Sequence, residues 1–235
     1  MYAIKTYPHV MKEEFYNAYD MLNIKNLSGI SILNIPAAGI ELGTYIGDNN
    51  YYYNYETSPD FAKLGFNYCK YTDIPLKDNS MDRIIVLASL HHVEIENRIN
   101  VYKEFKRLLK HNGYLIIGDV IKNSKQDRWL NEFVNKWNSK GHNGLFFDKD
   151  DSKMLEECGF IVNTKIKKYN WNFNNQDEMV DFILNLFGLD LLSEKKEKIK
   201  IINDVKEYLD YFENKDGSCG FKWELIYFVS SPRFP

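Results

Sequence analysis

Cysteine is scarce. Only Cys69, Cys158 and Cys219 occur among 235 residues, far apart and without a C-x-x-C pair. That pattern excludes a disulfide scaffold and a closely spaced thiolate metal site, and it points to a reducing compartment. There are 6 prolines and 13 glycines, with no Pro/Gly/Ser-rich linker and no internal repeat. Arginine is the minor basic residue, at 5 of 30 Lys plus Arg, and no basic block stands out. With a net charge of −3 and a pI of about 6.0, a duplex-binding surface is not expected, because neutralising phosphates needs clustered Lys/Arg. No apolar run approaches the ~20 residues of a membrane span. The opening residues MYAIKTYPH carry no signal-peptide run either. These absences together predict a soluble, cytoplasmic protein with neither membrane nor nucleic acid as partner.

Aromatic residues are plentiful. There are 17 Tyr, 15 Phe and 4 Trp, 15% of the chain. Biased codon usage, which also explains the excess of Asn, Lys and Ile, is the simplest cause; an aromatic-lined pocket is the alternative. Apolar residues reach 44%, enough for a packed core and too many for a disordered tail. The length fits one large domain, or one domain with a cap.

Residues 11–23 space Met11, Phe15, Ala18, Tyr19 and Leu22 as one face of a helix. A short β-rich run, 30–35, stops at Pro36, which cannot continue a central strand. Further strands are expected at 51–55, 66–71, 82–88 and 114–119. The runs at 82–88 and 114–119 are nearly continuous in apolar residues, as strands buried on both faces are. A helix over 95–110 presents Ile99, Tyr102, Phe105, Leu108 and Leu109 on one stripe and is expected to end at Asn112-Gly113. Helices follow near 125–139, 149–157, 176–187 and 194–212, with strands at 160–169 and 223–230. The charge run from Ser193 reads most simply as a solvated helix face. Buried strands alternating with helices indicate βαβ units and a doubly wound parallel sheet. Residues 1–30 form a helical lid segment in this reading. Residues 31–235 form the α/β domain, with cap helices at about 122–145 and 175–213.

In open α/β sheets ligands bind beyond the carboxyl ends of the strands. After the first expected strand, Ala37, Ala38 and Gly39 permit close backbone approach, although a tight turn without ligand favours the same small residues. Glu56 lies 22 residues beyond Asn34, where dinucleotide-type folds place a carboxylate that grips a ribose diol; an N-cap or solvated role is equally open. After the third strand, Asp73 could accept from an exocyclic amine, with Ile74 against a ring face.

Three segments then combine: Asp73-Ile-Pro-Leu-Lys-Asp-Asn-Ser-Met-Asp82, Leu90-His-His-Val93 and Glu104-Phe-Lys-Arg-Leu-Leu-Lys-His-Asn-Gly113. In order and spacing, over about residues 30–160, they resemble the class I S-adenosylmethionine-dependent methyltransferases, specifically the small-molecule group called type 11. One departure stands out. The family's glycine loop D-x-G-x-G-x-G is represented here by Asn34, Pro36, Ala38 and Ile40. The resemblance implies a Rossmann-like α/β fold with a mostly parallel seven-stranded sheet, the last strand antiparallel, and S-adenosyl-L-methionine as cofactor. It implies that the backbone of Ile35, Pro36, Ala37, Ala38 and Gly39 meets the cofactor's amino-acid end, and that Glu56 takes the ribose hydroxyls with Thr57 beside the adenine. Asp73 and Ile74 would bind adenine, and Ala88 and Ser89 would lie near the transferred methyl.

His91 and His92 fall at the family's substrate-facing edge and are the catalytic candidates, since an imidazole can serve as a base at neutral pH. Packing in the strand–helix turn is the plainer role for such a pair. Tyr7, Tyr16, Tyr19, Trp137 and His142 are the substrate-binding candidates. Trp129, Trp171 and Phe173 extend that list, although core packing is simpler for most of these aromatics. The expected reaction is methyl transfer to oxygen or nitrogen of a small molecule, of secondary-metabolism type, by a monomer or homodimer without metal. The alternatives are another S-adenosylmethionine-using reaction on the same fold, such as cyclisation with methylthioadenosine release, and a protein that binds the cofactor without catalysis.

Overall fold

The computed structural model describes residues 2–36, 42–46, 49–63, 65–192 and 197–233. Ala37, Ala38, Gly39 and Ile40 lie outside them. Contacts divide the chain into two compact units. The first, here the aromatic unit, comprises residues 1–16, 120–146 and 167–225. The second, the sheet unit, comprises 17–119, 147–166 and 226–235.

The strands are β1 (Ser31–Asn34), β2 (Tyr51–Glu56), β3 (Asn67–Tyr68), β4 (Met81–Leu87), β5 (Leu109–Val120), β6 (Phe160–Phe173), β7 (Tyr211–Glu213) and β8 (Cys219–Pro232). Their order is β3-β2-β1-β4-β5-β8-β6, with β7 pairing antiparallel to β8. The pairs β3–β2, β2–β1, β1–β4 and β4–β5 are parallel. In register, Leu33 faces Tyr53 on one side and Ile84 on the other, while Ile85 faces Ile116. The expected doubly wound, mostly parallel α/β sheet is therefore present. The order reverses between β1 and β4, so the topological switch point lies at the carboxyl ends of those two strands.

Burial explains why these runs are strands. Ile32, Leu33, Ile84, Ile85, Val86, Leu115, Ile116 and Ile117 are all removed from water. Each such side chain contributes roughly 1.5–3 kcal/mol, and neighbouring residues point to opposite faces, so both faces of the central strands are covered. Helix α5 (Ile95–Leu108) buries Val101, Tyr102, Phe105 and Leu108 along one stripe. The other helices of the sheet unit are α2 (Lys12–Met21, which begins in the aromatic unit), α3 (Leu42–Ile46), α4 (Pro59–Ala62) and α8 (Ser152–Glu157).

The aromatic unit contains α1 (Tyr2–Thr6), α6 (Lys125–Arg128), α7 (Asn135–Trp137), α9 (Gln176–Leu186) and α10 (Lys198–Tyr208). Between α6 and α7 the backbone takes a π-helical turn over Trp129–Val134. Its core is a stack of rings: Trp171 lies against Trp223 at 4.3 Å, and Trp129 against Phe133 at 4.3 Å. Phe173, Phe182 and Phe221 fill the remaining space.

Four boundaries differ from the sequence reading. Helix α5 ends at Leu108, not at Asn112-Gly113, because Leu109 is already extended and pairs with Met81. Gly113 serves close approach inside this irregular stretch: a Cβ there would meet the Lys110 carbonyl at 2.9 Å and the Met81 carbonyl at 3.1 Å. The third strand is only two residues long. The helix expected to reach residue 212 stops at Tyr208, because Tyr211–Glu213 turns back through Asn214–Gly217 as one arm of a hairpin with β8. The helix expected over 125–139 is broken by the π turn.

Arg107 joins α5 to the segment before β4. Its Nε and Nη2 donate to the two carboxylate oxygens of Glu104, and Nη1 and Nη2 also donate to the carbonyls of Leu76 and Ile74. Burial opposes the charge on Glu104, but Arg107 and the Ile74 amide outweigh it and hold the carboxyl below its ordinary 4.5. The stabilisation is thus present above that value and fades as pH falls through the depressed one. Glu104→Gln is expected to flatten the acid limb of stability measured by urea melts between pH 3 and 6, while leaving stability above pH 6 lowered. Gly118→Ala is expected to cost about 1–3 kcal/mol in the same melts, since its Cβ would come within 2.6 Å of the Tyr227 ring and 2.8 Å of Leu87.

Candidate functional site

The carboxyl ends of β1, β2 and β4 carry a polar group each. At β1, Asn34 donates through Nδ2 to Asn54 Oδ1 at 3.1 Å, and the Leu42 amide also approaches that oxygen. Asn34 therefore ties β1 to β2 at the position where the family pattern has a carboxylate. The chain leaves β1 through a cis Ile35–Pro36 bond. At β2, Glu56 is fully buried. Beyond β3, the Tyr71 phenol is held above its ordinary value by burial first, with the charges of Asp119 and Glu56 adding to it. The hydroxyls of Ser89 and Thr57 lie beside Tyr71 and oppose that rise, yet neither Tyr71 Oη nor Ser89 Oγ has a well-formed hydrogen bond among the described residues. Cys69 is pushed up to about 12 by burial and by the acids Asp73, Glu104 and Glu56, so its thiol is not a nucleophile.

The turn after β4 is the most constrained part of this region. Ala88 has a φ of 46°, a left-handed conformation that a non-glycine residue holds only when its surroundings impose it. The Asp119 carboxylate, fully buried near the end of β5, imposes it here. Its Oδ2 accepts from the amides of Ser89 and His91, each at 3.2 Å, and its Oδ1 pairs with His91 Nδ1 at 2.8 Å. Ala88 is itself pinned by its amide to the Gly118 carbonyl at 2.7 Å. Two backbone amides donate to the carboxylate, and an ionised carboxylate so placed pairs with an imidazole that carries its proton on Nδ1. In the neutral ring Nε2 is then the acceptor nitrogen. The exit of the turn is fixed by Arg98, a fully buried residue whose Nε donates to the Val93 carbonyl and whose guanidinium lies 4.0 Å from the centre of the Phe147 ring.

Within the sheet unit the structure brings together Glu56, Thr57, Ser89 and His91 from the sequence-derived set, and it adds Tyr71 and Asp119, which that set lacks. His92 is exposed, its ring centre 4.1 Å from that of His91. Asp73 is exposed. Ile74 is turned into the core, and its amide already donates to Glu104 Oε1 at 2.8 Å. Tyr19 is buried and hydrogen-bonded to Tyr52.

The remaining substrate candidates lie in the aromatic unit and have partners there. Tyr7 donates to Asp181 at 2.8 Å, and Lys12 sits 5.2 Å from the centre of the Tyr16 ring. Lys200 lies 5.1 Å from the Trp137 ring, and His142 stacks on Phe146. Trp129, Trp171 and Phe173 are enclosed in the ring stack as core residues. Asp119 had a signal in the sequence that went unused: a lone acid closing a buried apolar strand, at the end of the sheet where ligands bind.

A buried carboxylate, two buried hydroxyls without good partners, and a turn locked into left-handed geometry surround the switch point. That donor and acceptor set fits a polar ligand with a diol and an amino-acid end, as S-adenosylmethionine has. Comparison with known proteins agrees. Residues 50–117 match the family model described as a methyltransferase domain. No curated protein matches the sequence. Among solved structures, a candidate methyltransferase of Bacillus halodurans C-125 is 17% identical with a TM-score of 0.57, covering 92% of this chain and 98% of that one. A SAM-dependent methyltransferase of Archaeoglobus fulgidus is 14% identical with a TM-score of 0.53, covering 94% of each chain. Phosphoethanolamine N-methyltransferase 2 of Haemonchus contortus, solved with S-adenosyl-L-methionine, is 11% identical with a TM-score of 0.54, covering 88% of this chain and 49% of that one. The chain thus carries a methyltransferase-domain match over residues 50–117 and shares the fold of these methyltransferases.

Proposed function

We propose that the protein transfers a methyl group from S-adenosylmethionine to oxygen or nitrogen of a small molecule, with His91 as the base that takes the acceptor's proton. The observation that carries this reading is the His91–Asp119 pair, in which a buried carboxylate fixes the tautomer and orientation of an imidazole at the carboxyl end of β4. When bound, the cofactor supplies a sulfonium methyl and a neutral thioether leaving group.

The chain's own residues do the rest. Glu56 accepts from the ribose hydroxyls, a charge-assisted pair of bonds, and Thr57 flanks the adenine. Asp73 receives the adenine amine, with Ile74 supporting it from the core. The backbone of Ile35 and Pro36 and of Ala88 and Ser89 approaches the methionine end. Because the leaving group is neutral, alignment of acceptor, methyl and sulfur is the main demand on the protein. A rigid turn after β4 meets that demand, and Asp119 and Arg98 hold it at both ends. A proton-bearing acceptor also needs a base. His91 Nε2 has the right protonation for that, and Asp119 stabilises the imidazolium once the proton has moved. His92, exposed beside His91, is the second candidate on the acceptor side. The net charge of −3 and the lack of a basic cluster favour a small acceptor over nucleic acid.

Two outcomes test this. In titration calorimetry S-adenosylmethionine and S-adenosylhomocysteine should both bind the wild type, and Glu56→Gln should weaken binding about tenfold or more, as loss of a charged acceptor for two hydroxyls requires. Absence of wild-type binding, or unchanged affinity in the variant, removes the cofactor assignment. In methyl-transfer assays with isotopically labelled cofactor and a panel of small hydroxyl and amine acceptors, His91→Gln should lower kcat by ~10²–10⁴-fold with little change in cofactor affinity. Equal turnover removes His91 from the reaction. Release of methylthioadenosine without any acceptor would favour cyclisation instead.

A further inference from the structure

Tyr71 reaches into the ligand end of the sheet from a surface turn. The turn runs from Lys70 to Asp73, and the Asp73 amide donates to the Lys70 carbonyl at 3.1 Å. It is anchored on both sides. The Cys69 amide donates to the Glu56 carbonyl at 2.9 Å, and the Ile74 amide donates to Glu104 Oε1 at 2.8 Å. Tyr71 as a residue is half-buried, yet its hydroxyl oxygen is wholly buried, so the ring enters hydroxyl first from the surface. Phe105 meets that ring edge to face, 6.4 Å between centres.

The hydroxyl ends between two strands that do not pair. It lies beside the hydroxyls of Thr57, after β2, and of Ser89, after β4. In the sheet β1 runs between β2 and β4, so those two strands are separated by two spacings of about 4.8 Å. A side chain beside both residues therefore spans the carboxyl end of β1, the switch point at which a ligand enters such a sheet. Glu56, the expected acceptor of the ribose diol, is 0% exposed there, and the charges of Glu56 and Asp119 both act on the phenol. Tyr71 thus holds the space between Glu56 and Ser89.

We propose that Tyr71 is a gate on the cofactor site: closed, its phenol stands where a ligand hydroxyl has to go, and the cofactor binds once the side chain has turned out. This rests on the S-adenosylmethionine reading given above. Two features suit a gate and not a core residue. The closed contact is poor, since neither Tyr71 Oη nor Ser89 Oγ has a well-formed hydrogen bond among the described residues. A ribose hydroxyl that pairs with good geometry outcompetes it. The anchors of the turn are backbone amides at Cys69 and Ile74, so the ring can rotate about its Cα–Cβ bond while the turn stays in place. Affinity for the cofactor is then reduced by the fraction of molecules that are closed.

Titration calorimetry with S-adenosylhomocysteine on the full chain tests this, comparing the wild type with Tyr71→Ala and Tyr71→Val, each checked by urea melts. Removing the gate should tighten binding about tenfold or more. Binding in the variants alone is the same result at its extreme. If the wild type binds and both variants bind equally or more weakly, the gate is overturned and the cofactor assignment stands. If neither the wild type nor the variants bind, both are overturned. A second measurement leaves the packing intact. The chain is labelled with 3-fluorotyrosine, and the ¹⁹F signal of Tyr71 is assigned by its absence in Tyr71→Phe. Its solvent isotope shift between H₂O and D₂O should be small without ligand. With saturating S-adenosylhomocysteine it should rise toward that of Tyr51, which is 64% exposed. A Tyr71 signal that stays shielded in the saturated complex overturns the proposal.

Discussion

The Asp119 carboxylate, buried near the end of the central strand β5, receives two backbone amides and an imidazole from the turn after β4. Most of what distinguishes the ligand end of the sheet depends on it. It lies on a strand whose preceding residues, Leu115 to Ile117, are wholly buried, so it cannot move without disturbing the sheet. A charge in such a place is tolerated only if its lone pairs are satisfied. The three donors satisfy them, and in return they fix the left-handed Ala88, the Ser89 hydroxyl and the His91 ring.

The same logic recurs at the other charged groups of the sheet unit. Glu104 is partly buried and is held by both arms of the Arg107 guanidinium and by the Ile74 amide, which pins the segment running from Asp73 into β4. Arg98, fully buried, satisfies the Val93 carbonyl and lies over Phe147. Each of these residues connects a loop at the ligand end to an element of the core. The loops are therefore built as rigid parts. The aromatic unit is organised differently. Its core is a stack of large rings around Trp171 and Trp223.

The parts of the fold that were legible in the sequence are those whose signal is local. The apolar runs at 82–88 and 114–119 are strands because they are buried on both faces, and of the expected stripe Tyr102, Phe105 and Leu108 line the buried face of α5, while Leu109 already belongs to β5. Glu56 was marked by its spacing from β1, and the structure buries it at the end of β2. What the sequence concealed was non-local. Asp119 stands out locally as a lone acid closing an apolar strand, but its partners lie 28 and 30 positions away, and no local pattern pairs it with them. Gly113 resembled a helix cap but answers to the Met81 carbonyl across the sheet. The hairpin of β7 with β8 was masked by a helical charge pattern running up to Tyr208. The aromatic excess, which had suggested a ring-lined pocket, is resolved at Trp129, Trp171 and Phe173 into core packing.

The central claim is that Asp119 holds His91 with its proton on Nδ1, leaving Nε2 as the acceptor nitrogen. ¹⁵N NMR of the imidazole side chains, with His91 assigned by comparison with His91→Gln, reads this directly. The account predicts a neutral His91 ring in the Nδ1–H form, with a slowly exchanging, downfield Nδ1 proton that disappears in Asp119→Asn. A His91 ring in the Nε2–H form, or a spectrum indifferent to the loss of the Asp119 charge, would contradict it.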